Sequence, residues 1–291
     1  MSDYVDKQSK VGKRSTLFSK IKISNILLYG IVGVVLLFLL IPIIVIPILS
    51  FGTSTWLEFP PPGFTLKWYQ ELFSSSEWFI PIMNSLKIAV PVVIFSQVFG
   101  IPIAYAVVRG NFRGRHLLNS LFVTPMMMPY IIFAIAIYGV YLNIGLNGSF
   151  LGIIIAHIIL VLPFVSTNVA NSLRTLKPAI EQAALSCGAG YFSTFFRITL
   201  PLIKDGVFAG AIYAFFLSWD EVIVAIFITT PATITLPVKI WNSLRLDLSP
   251  VLAAVATILI AISTIILVIG TRFGGIATSE GGEQNGKDGD K

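Results

Sequence analysis

Glu181 to Pro201 reads EQAALSCGAGYFSTFFRITLP, a polar segment with two glycines set between two long apolar runs. A chain whose flanking stretches belong in lipid has no use for such an interruption unless the segment works outside the bilayer. Its local pattern is regular. Pro178 suits a first helical position, where no amide hydrogen is needed, and Ala179 to Cys187 favour helix. Gly188 falls just past the end, where the backbone turns to positive φ. A second short helix over Tyr191 to Arg197 is expected before Pro201. Ala183 and Ala184 are small enough for another backbone to come close. Phe192, Phe195 and Phe196 call for burial against the base of a helix bundle or against a partner. Plain linkers of this length seldom carry such construction.

Of the 291 residues, 55% are apolar and only 12% are charged, and Cys187 is the sole cysteine, which excludes an internal disulfide. Mean hydropathy is +0.86. Soluble domains carry roughly twice that charged share, so a polytopic membrane protein is expected. A lipid-crossing helix needs about 20 mostly apolar residues. Six stretches qualify: 26–49, 86–108, 117–142, 151–172, 205–229 and 249–271. The first, running on to about Phe51, exceeds the roughly 7–15 apolar residues of a cleavable signal. Prolines inside the spans, among them Pro91, Pro102, Pro125, Pro129 and Pro163, are tolerable where neighbouring helices re-satisfy the freed carbonyls. Gly100, Ala104 and Ala106 give the second span small surfaces for helix contact.

Orientation follows from the basic residues. With the N-terminus inside, the inner segments hold sixteen Lys and Arg. These include Lys7, Lys10, Lys13, Arg14, Lys20 and Lys22 at the start, then Arg109, Arg113 and Arg115, and Arg174, Lys177, Arg197 and Lys204. The outer segments hold four, Lys67, Lys87, Lys239 and Arg245. Both termini and the opening stretch are therefore expected in the cytoplasm. Residues 1–25 form a basic segment, loose until it meets the membrane; its charge is a topology signal and lipid contact rather than a nucleic-acid site. Residues 26–272 form the transmembrane domain, with the cytoplasmic loop at 173–204. Residues 273–291 are a polar, glycine-rich tail expected to be disordered.

Outside, FPPPGFTLKWYQELF contains a stiff turn at Pro60 to Gly63. Thr65 can cap a short helix with Leu66, Tyr69, Leu72 and Phe73 on one face. With Trp56, Trp68 and Trp78 close by, that helix is expected at the outer interface as a lid.

The opening loop also resembles the cytoplasmic loop of ABC importer permeases, whose pattern is EAA, three residues, G, nine residues, I-x-LP. Here Gln182-Ala183-Ala184 is followed at that spacing by Gly188 and then by Ile198-Thr199-Leu200-Pro201. Gln182 stands where the family has Glu, with Glu181 just before it, so the charged contact usual there is weakened or passes to the neighbour. NSLKIAV (Asn84 to Val90) and AYAVVR (Ala104 to Arg109) extend the likeness. The resemblance implies an all-α type I permease fold. It also implies a loop, carried by Glu181, Gln182, Ala183, Ala184, Gly188, Ile198, Leu200 and Pro201, that docks on a separate ATPase subunit. The chain itself carries no G-x-x-x-x-G-K-[ST] phosphate loop, so it is not expected to be an enzyme. ATP and magnesium belong to the partner.

Asp220 and Glu221, in FFLSWDEVIVAIFIT, lie inside the fifth span. An aspartate at mid-membrane costs about 2.5–3.5 kcal/mol on insertion scales, so the pair is there for a reason. About 15 residues from the cytoplasmic end, Asp220 lies roughly 22 Å along the helix, in the outer half. Neighbouring residues on a helix point about 100° apart. Glu221 shares its stripe with Gly210, Ala214, Ser218 and Ala225, a close-packing face. Asp220 shares its stripe with Tyr213, Phe216, Val224 and Phe227, and a carboxylate among aromatic rings suits an organic ammonium. Asp220, Tyr213 and Phe216 are candidates to line a cation path, together with Trp241 and with Glu221, which is also expected at a helix contact. The bland alternative is that both acids only hold an interface.

SWDEVIVAIFIT and TLPVKIWNSLRLDLSPVLAAVAT (Thr235 to Thr257) resemble spermidine/putrescine permeases of the PotC type. That likeness implies a PotB-type second permease, a PotA-type ATPase dimer and a PotD-type external binding protein, in a bacterial inner membrane. Trp241 and Asp247 then face outside, to greet a released cation or to anchor the loop. His157 is expected as a hydrogen-bonded core residue and Met126, Met127 and Met128 as packing. There is no metal spacing and no nucleophile–base pair. Two alternatives stay open: a permease of the same family for another small solute, such as a sugar or a phosphonate, and an ion-coupled carrier with Asp220 and Glu221 as relay, though the second leaves the 182–201 loop unexplained.

Overall fold

A computed structural model describes residues 2–246 and 249–273. Asp247 and the tail from Ala277 lie outside the described residues. Helix dominates, and the extended pairing among the described residues is a single antiparallel bridge, Gly52 to Phe64. The chain divides into two units, Met1–Tyr69 with Ser249–Ile260, and Gln70–Leu248 with Ala261–Lys291.

In the first unit, α1 (Ser2–Ser50) is one helix. It begins well ahead of the apolar run, so the basic segment expected to be loose is helical. From Leu27 through Ile44 its side chains are exposed, and Leu27–Ser50 is long and apolar enough to cross a bilayer. The turn after it is closed by Thr65 N–H donating to Phe51 O at 2.7 Å and by the Trp68 indole donating to Gly52 O at 2.7 Å. Ser50 and Tyr69 share a 2.6 Å hydroxyl contact. Thr65 accepts from Lys67 N–H and so caps α2 (Lys67–Ser74). The buried face of α2 is Trp68 and Leu72, whereas Leu66 and Phe73 are exposed. The indole's bond to the turn rotates the helix away from the face expected for it.

The second unit is built on α3 (Ser76–Arg109), α6 (Phe150–Thr175) and α10 (Lys204–Trp219). Small residues let these three approach. A Cβ on Gly206 would collide with Ser172 Cβ, and one on Gly100 would stand 2.7 Å from Val165 Cγ1, so a larger residue at either point would push the helices apart. Gln97 on α3 donates across to Val207 O at 2.9 Å. Ile88, Val92, Ile153, Val161, Val165, Val169 and Ala214 fill the space between.

Among the described residues, three helices are long and apolar enough to cross a bilayer by themselves: Leu27–Ser50, Ser76–Arg109 and Phe150–Thr175. They correspond to the expected first, second and fourth spans. The third is not one straight helix. α4 (Arg115–Met127) and α5 (Tyr130–Ile144) meet at 104°. Pro129 has no amide hydrogen to give and forces Met128 out of helical geometry, to φ −84° and ψ 135°. The fifth is interrupted too: α10 ends at Trp219, and α11 (Ile223–Ile228) starts after a three-residue break. α12 (Leu236–Leu246) and α13 (Pro250–Phe273) complete the described chain.

Between α6 and α10 runs the loop of the opening stretch. It holds α7 (Pro178–Ser186), α8 (Tyr191–Thr194), a π turn over Phe195–Thr199 and the single turn α9 (Leu200–Leu202). Pro178 is at the start of α7 and Gly188 takes φ +87° just past its end, as the residue types require.

Candidate functional site

Two places bring chemistry-bearing residues together, the break in α10–α11 and the loop at the opposite end of α10. At the break, both oxygens of Glu221 accept backbone hydrogens, Oε1 from Val224 N–H and Oε2 from Ala225 N–H, each at 2.9 Å. The carboxylate thus takes the place of the carbonyls a continuing helix would supply, which starts α11 and explains why the span breaks here. His157 on α6 closes the site from the side. Its Nδ1 contacts Ser218 Oγ at 2.9 Å and its Nε2 lies 3.7 Å from Glu221 Oε2. His157, Ser218 and Glu221 are all buried, and so are Gly210, Ala214 and Ala225 on the same stripe.

Asp220 is one residue away and arranged otherwise. It caps the C-terminus of α10 by its own N–H to Phe216 O, and its side chain is exposed. Among the described residues no Lys, Arg or His is paired with it. Tyr213, about two turns back along α10, is 52% exposed, and Phe216 is half-buried. Of the stripe expected with Asp220, Val224 departs, being fully buried, because the break rotates α11 relative to α10. Trp241 on α12 is exposed and already carries the Arg245 guanidinium 4.6 Å over its ring.

In the loop, Gln182 and Ala183 are exposed on α7, with Gly188 and Pro201; Ala184, Ile198 and Leu200 are half-buried. Tyr191 and Phe192 stand almost free, and Phe196 is 59% exposed. Phe195 instead turns inward, edge-on to Tyr105 of α3 at 5.5 Å. Glu181 does not lie on the outer surface of the loop. It is 6% exposed, bonded through Oε2 to Arg109 Nε at 2.6 Å and through Oε1 to the Thr199 hydroxyl at 2.7 Å. It is therefore not free to replace the charge missing at Gln182.

Two anchors escaped the sequence reading. Asn84 donates to Ala232 O and Ile234 O, and Ser85 Oγ accepts from Leu236 N–H, so the start of α3 pins the segment between α11 and α12. Arg109 ties the end of α3 to the end of α6 and to α7. An Asn-Ser pair and a terminal Arg on one span were the signals, but their partners are distant in sequence.

Residues 96–274, which include both places, match the family model for binding-protein-dependent transport system inner membrane components. The chain belongs to that family. Its curated relatives include the spermidine/putrescine transport system permease protein PotC of Escherichia coli K12, 32% identical over 240 residues, 81% of this chain and 89% of the relative. The putrescine transport system permease protein PotI of the same strain is 30% identical over 228 residues, 76% of this chain and 81% of its own. A more distant member, the sulfoquinovosyl glycerol transport system permease protein SmoH of Agrobacterium fabrum, is 28% identical over 64% of this chain and 65% of its own. Among solved structures, a chain of a bacterial ABC transporter for the acidic polysaccharide alginate superposes with TM-score 0.72 at 18% identity, over 87% of this chain and 96% of that one. The fold is that of an ABC importer permease. Members of this family are membrane subunits and not themselves enzymes.

Proposed function

We propose that this permease forms, with a PotB-type second permease, the path by which a cationic polyamine, spermidine or putrescine, enters the cell. A PotA-type ATPase pair supplies the energy and binds ATP and magnesium, and a PotD-type binding protein delivers the substrate from outside. Both termini and the 173–204 loop face the cytoplasm, where Gln182, Ala183, Gly188, Tyr191 and Phe192 meet the ATPase. The observation that carries the substrate reading is Asp220. A carboxylate left open within a span, with no basic partner among the described residues, is costly. That cost is offset when an ammonium group pairs with it, helped by the rings of Tyr213 and Phe216. Glu221 serves the path indirectly, by making the break that turns Asp220 outward. Similarity to PotC and PotI supports this choice of solute, and the same acid disfavours an anionic one. The test is ATP-dependent uptake of labelled spermidine by the reconstituted complex. Putrescine is expected to compete and a neutral sugar is not; equal competition by the sugar refutes the polyamine reading.

A further inference from the structure

The loop is tied to the spans by one buried polar knot. Arg109 is the last residue of α3. Its Nη2 donates to Leu173 O at 3.1 Å and Leu176 O at 2.7 Å, filling carbonyls that the end of α6 leaves without helical partners. Its Nε holds Glu181 in the first turn of α7. The second oxygen of Glu181 takes the hydroxyl of Thr199, the last residue of the π turn. The side chains of Arg109 and Glu181 are 15% and 8% exposed. Both oxygens of the acid are engaged, and four segments meet there. Along the chain, α7 hangs between the Leu176–Lys177 link and the turn at Cys187–Gly190. Without the knot, a push on the exposed face of α7 would tilt that helix on its two joints.

We propose that Arg109 and Glu181, with Thr199, are positioning residues that make the loop move as one body with α3 and α6. This rests on the docking role proposed for the loop. The load path is continuous. The ATPase bears on Gln182 and Ala183, and Glu181 passes the motion through Arg109 to the ends of α3 and α6. The close contact at Gly100 joins α3 to α6, and the one at Gly206 joins α6 to α10, whose far end Asp220 caps. Buried, paired ions change arrangement as a unit rather than by degrees, which is what a coupling element needs. The inward engagement of Glu181 also accounts for a docking face that bears Gln182 and no acid.

Arg109→Lys tests this, because an ammonium cannot span the three acceptors that the guanidinium fork reaches. Cys187, exposed on the loop, serves as a natural label site. A second label goes at Thr175→Cys on the end of α6. Pulsed electron-spin distances across the nucleotide cycle of the complete transporter are expected to stay constant with Arg109 in place. In the Arg109→Lys complex they are expected to shift and broaden. In the same complexes, spermidine imported per ATP hydrolysed is expected to fall about tenfold in Arg109→Lys, the size of a typical coupling energy, with the KM for uptake unchanged. Thr199→Val should give a smaller loss in the same direction and decides the matter where Arg109→Lys fails to assemble. A distance that stays constant in the variant, or uptake and ATP hydrolysis falling in proportion, overturns the proposal. Failure of the docking reading looks different: Cys187 in the native chain would then react with a maleimide as fast in the complex as in the free permease.

Discussion

Asp220 and Glu221 are neighbours in the chain, yet the fold treats them as opposites. Glu221 is 7% exposed, gives both oxygens to the start of α11 and has His157 beside it. Asp220 is open and has no basic partner among the described residues. A buried carboxylate whose oxygens are both taken is part of the backbone's own hydrogen bonding. One left open, in a segment where charge is expensive, is the one we propose to meet a cation from outside the chain. The lesson is that an acid in a membrane span is read from what its oxygens already hold, not from its presence.

The contrast breaks most readily at Glu221. Glu221→Ala leaves two buried N–H groups without acceptors, at about 1–3 kcal/mol each. The purified complex should lose several degrees of thermal stability, and amounts in the membrane should drop. A Glu221→Ala complex as stable as wild type, but inactive, would move the transport role to that residue. Ser218→Ala sharpens the same side: it removes the partner of His157 Nδ1 at a cost of about 1 kcal/mol, and uptake per assembled complex should stay near normal. Trp241→Ala is the mildest. Its ring already faces Arg245, an exposed cation–π contact worth about 0.5–1 kcal/mol, so the half-saturating spermidine concentration should hardly change.

Much of this was visible in the residues before any fold was considered. The apolar runs located the three helices long enough to cross a bilayer, Leu27–Ser50, Ser76–Arg109 and Phe150–Thr175, and the Gln182 to Pro201 spacing located α7, its glycine end and the turn into α10. The stripe of Gly210, Ala214, Ser218 and Glu221 was legible as a packing face because its period survives up to the break. The break itself was not. SWDEVIVAIF has no proline or glycine, and what interrupts the helix is a side chain out-competing the backbone, which composition does not show. The bend at Met128 had its proline in plain view, but a proline in a membrane span is compatible with a kink, a break or neither, and the neighbours decide. Glu181 illustrates a third limit. Its position beside Gln182 placed it on the docking surface, whereas its partner Arg109 lies 72 residues away and turns it inward.

The substrate reading stands on Asp220 meeting the cation. Vesicles holding equal amounts of the complete transporter, with and without Asp220→Asn, measure this through ATP-driven uptake of labelled spermidine. Removing one ion pair worth about 1.4 kcal/mol predicts roughly a tenfold higher half-saturating concentration, with assembly and ATP hydrolysis intact. Unchanged uptake by an intact Asp220→Asn complex would contradict it.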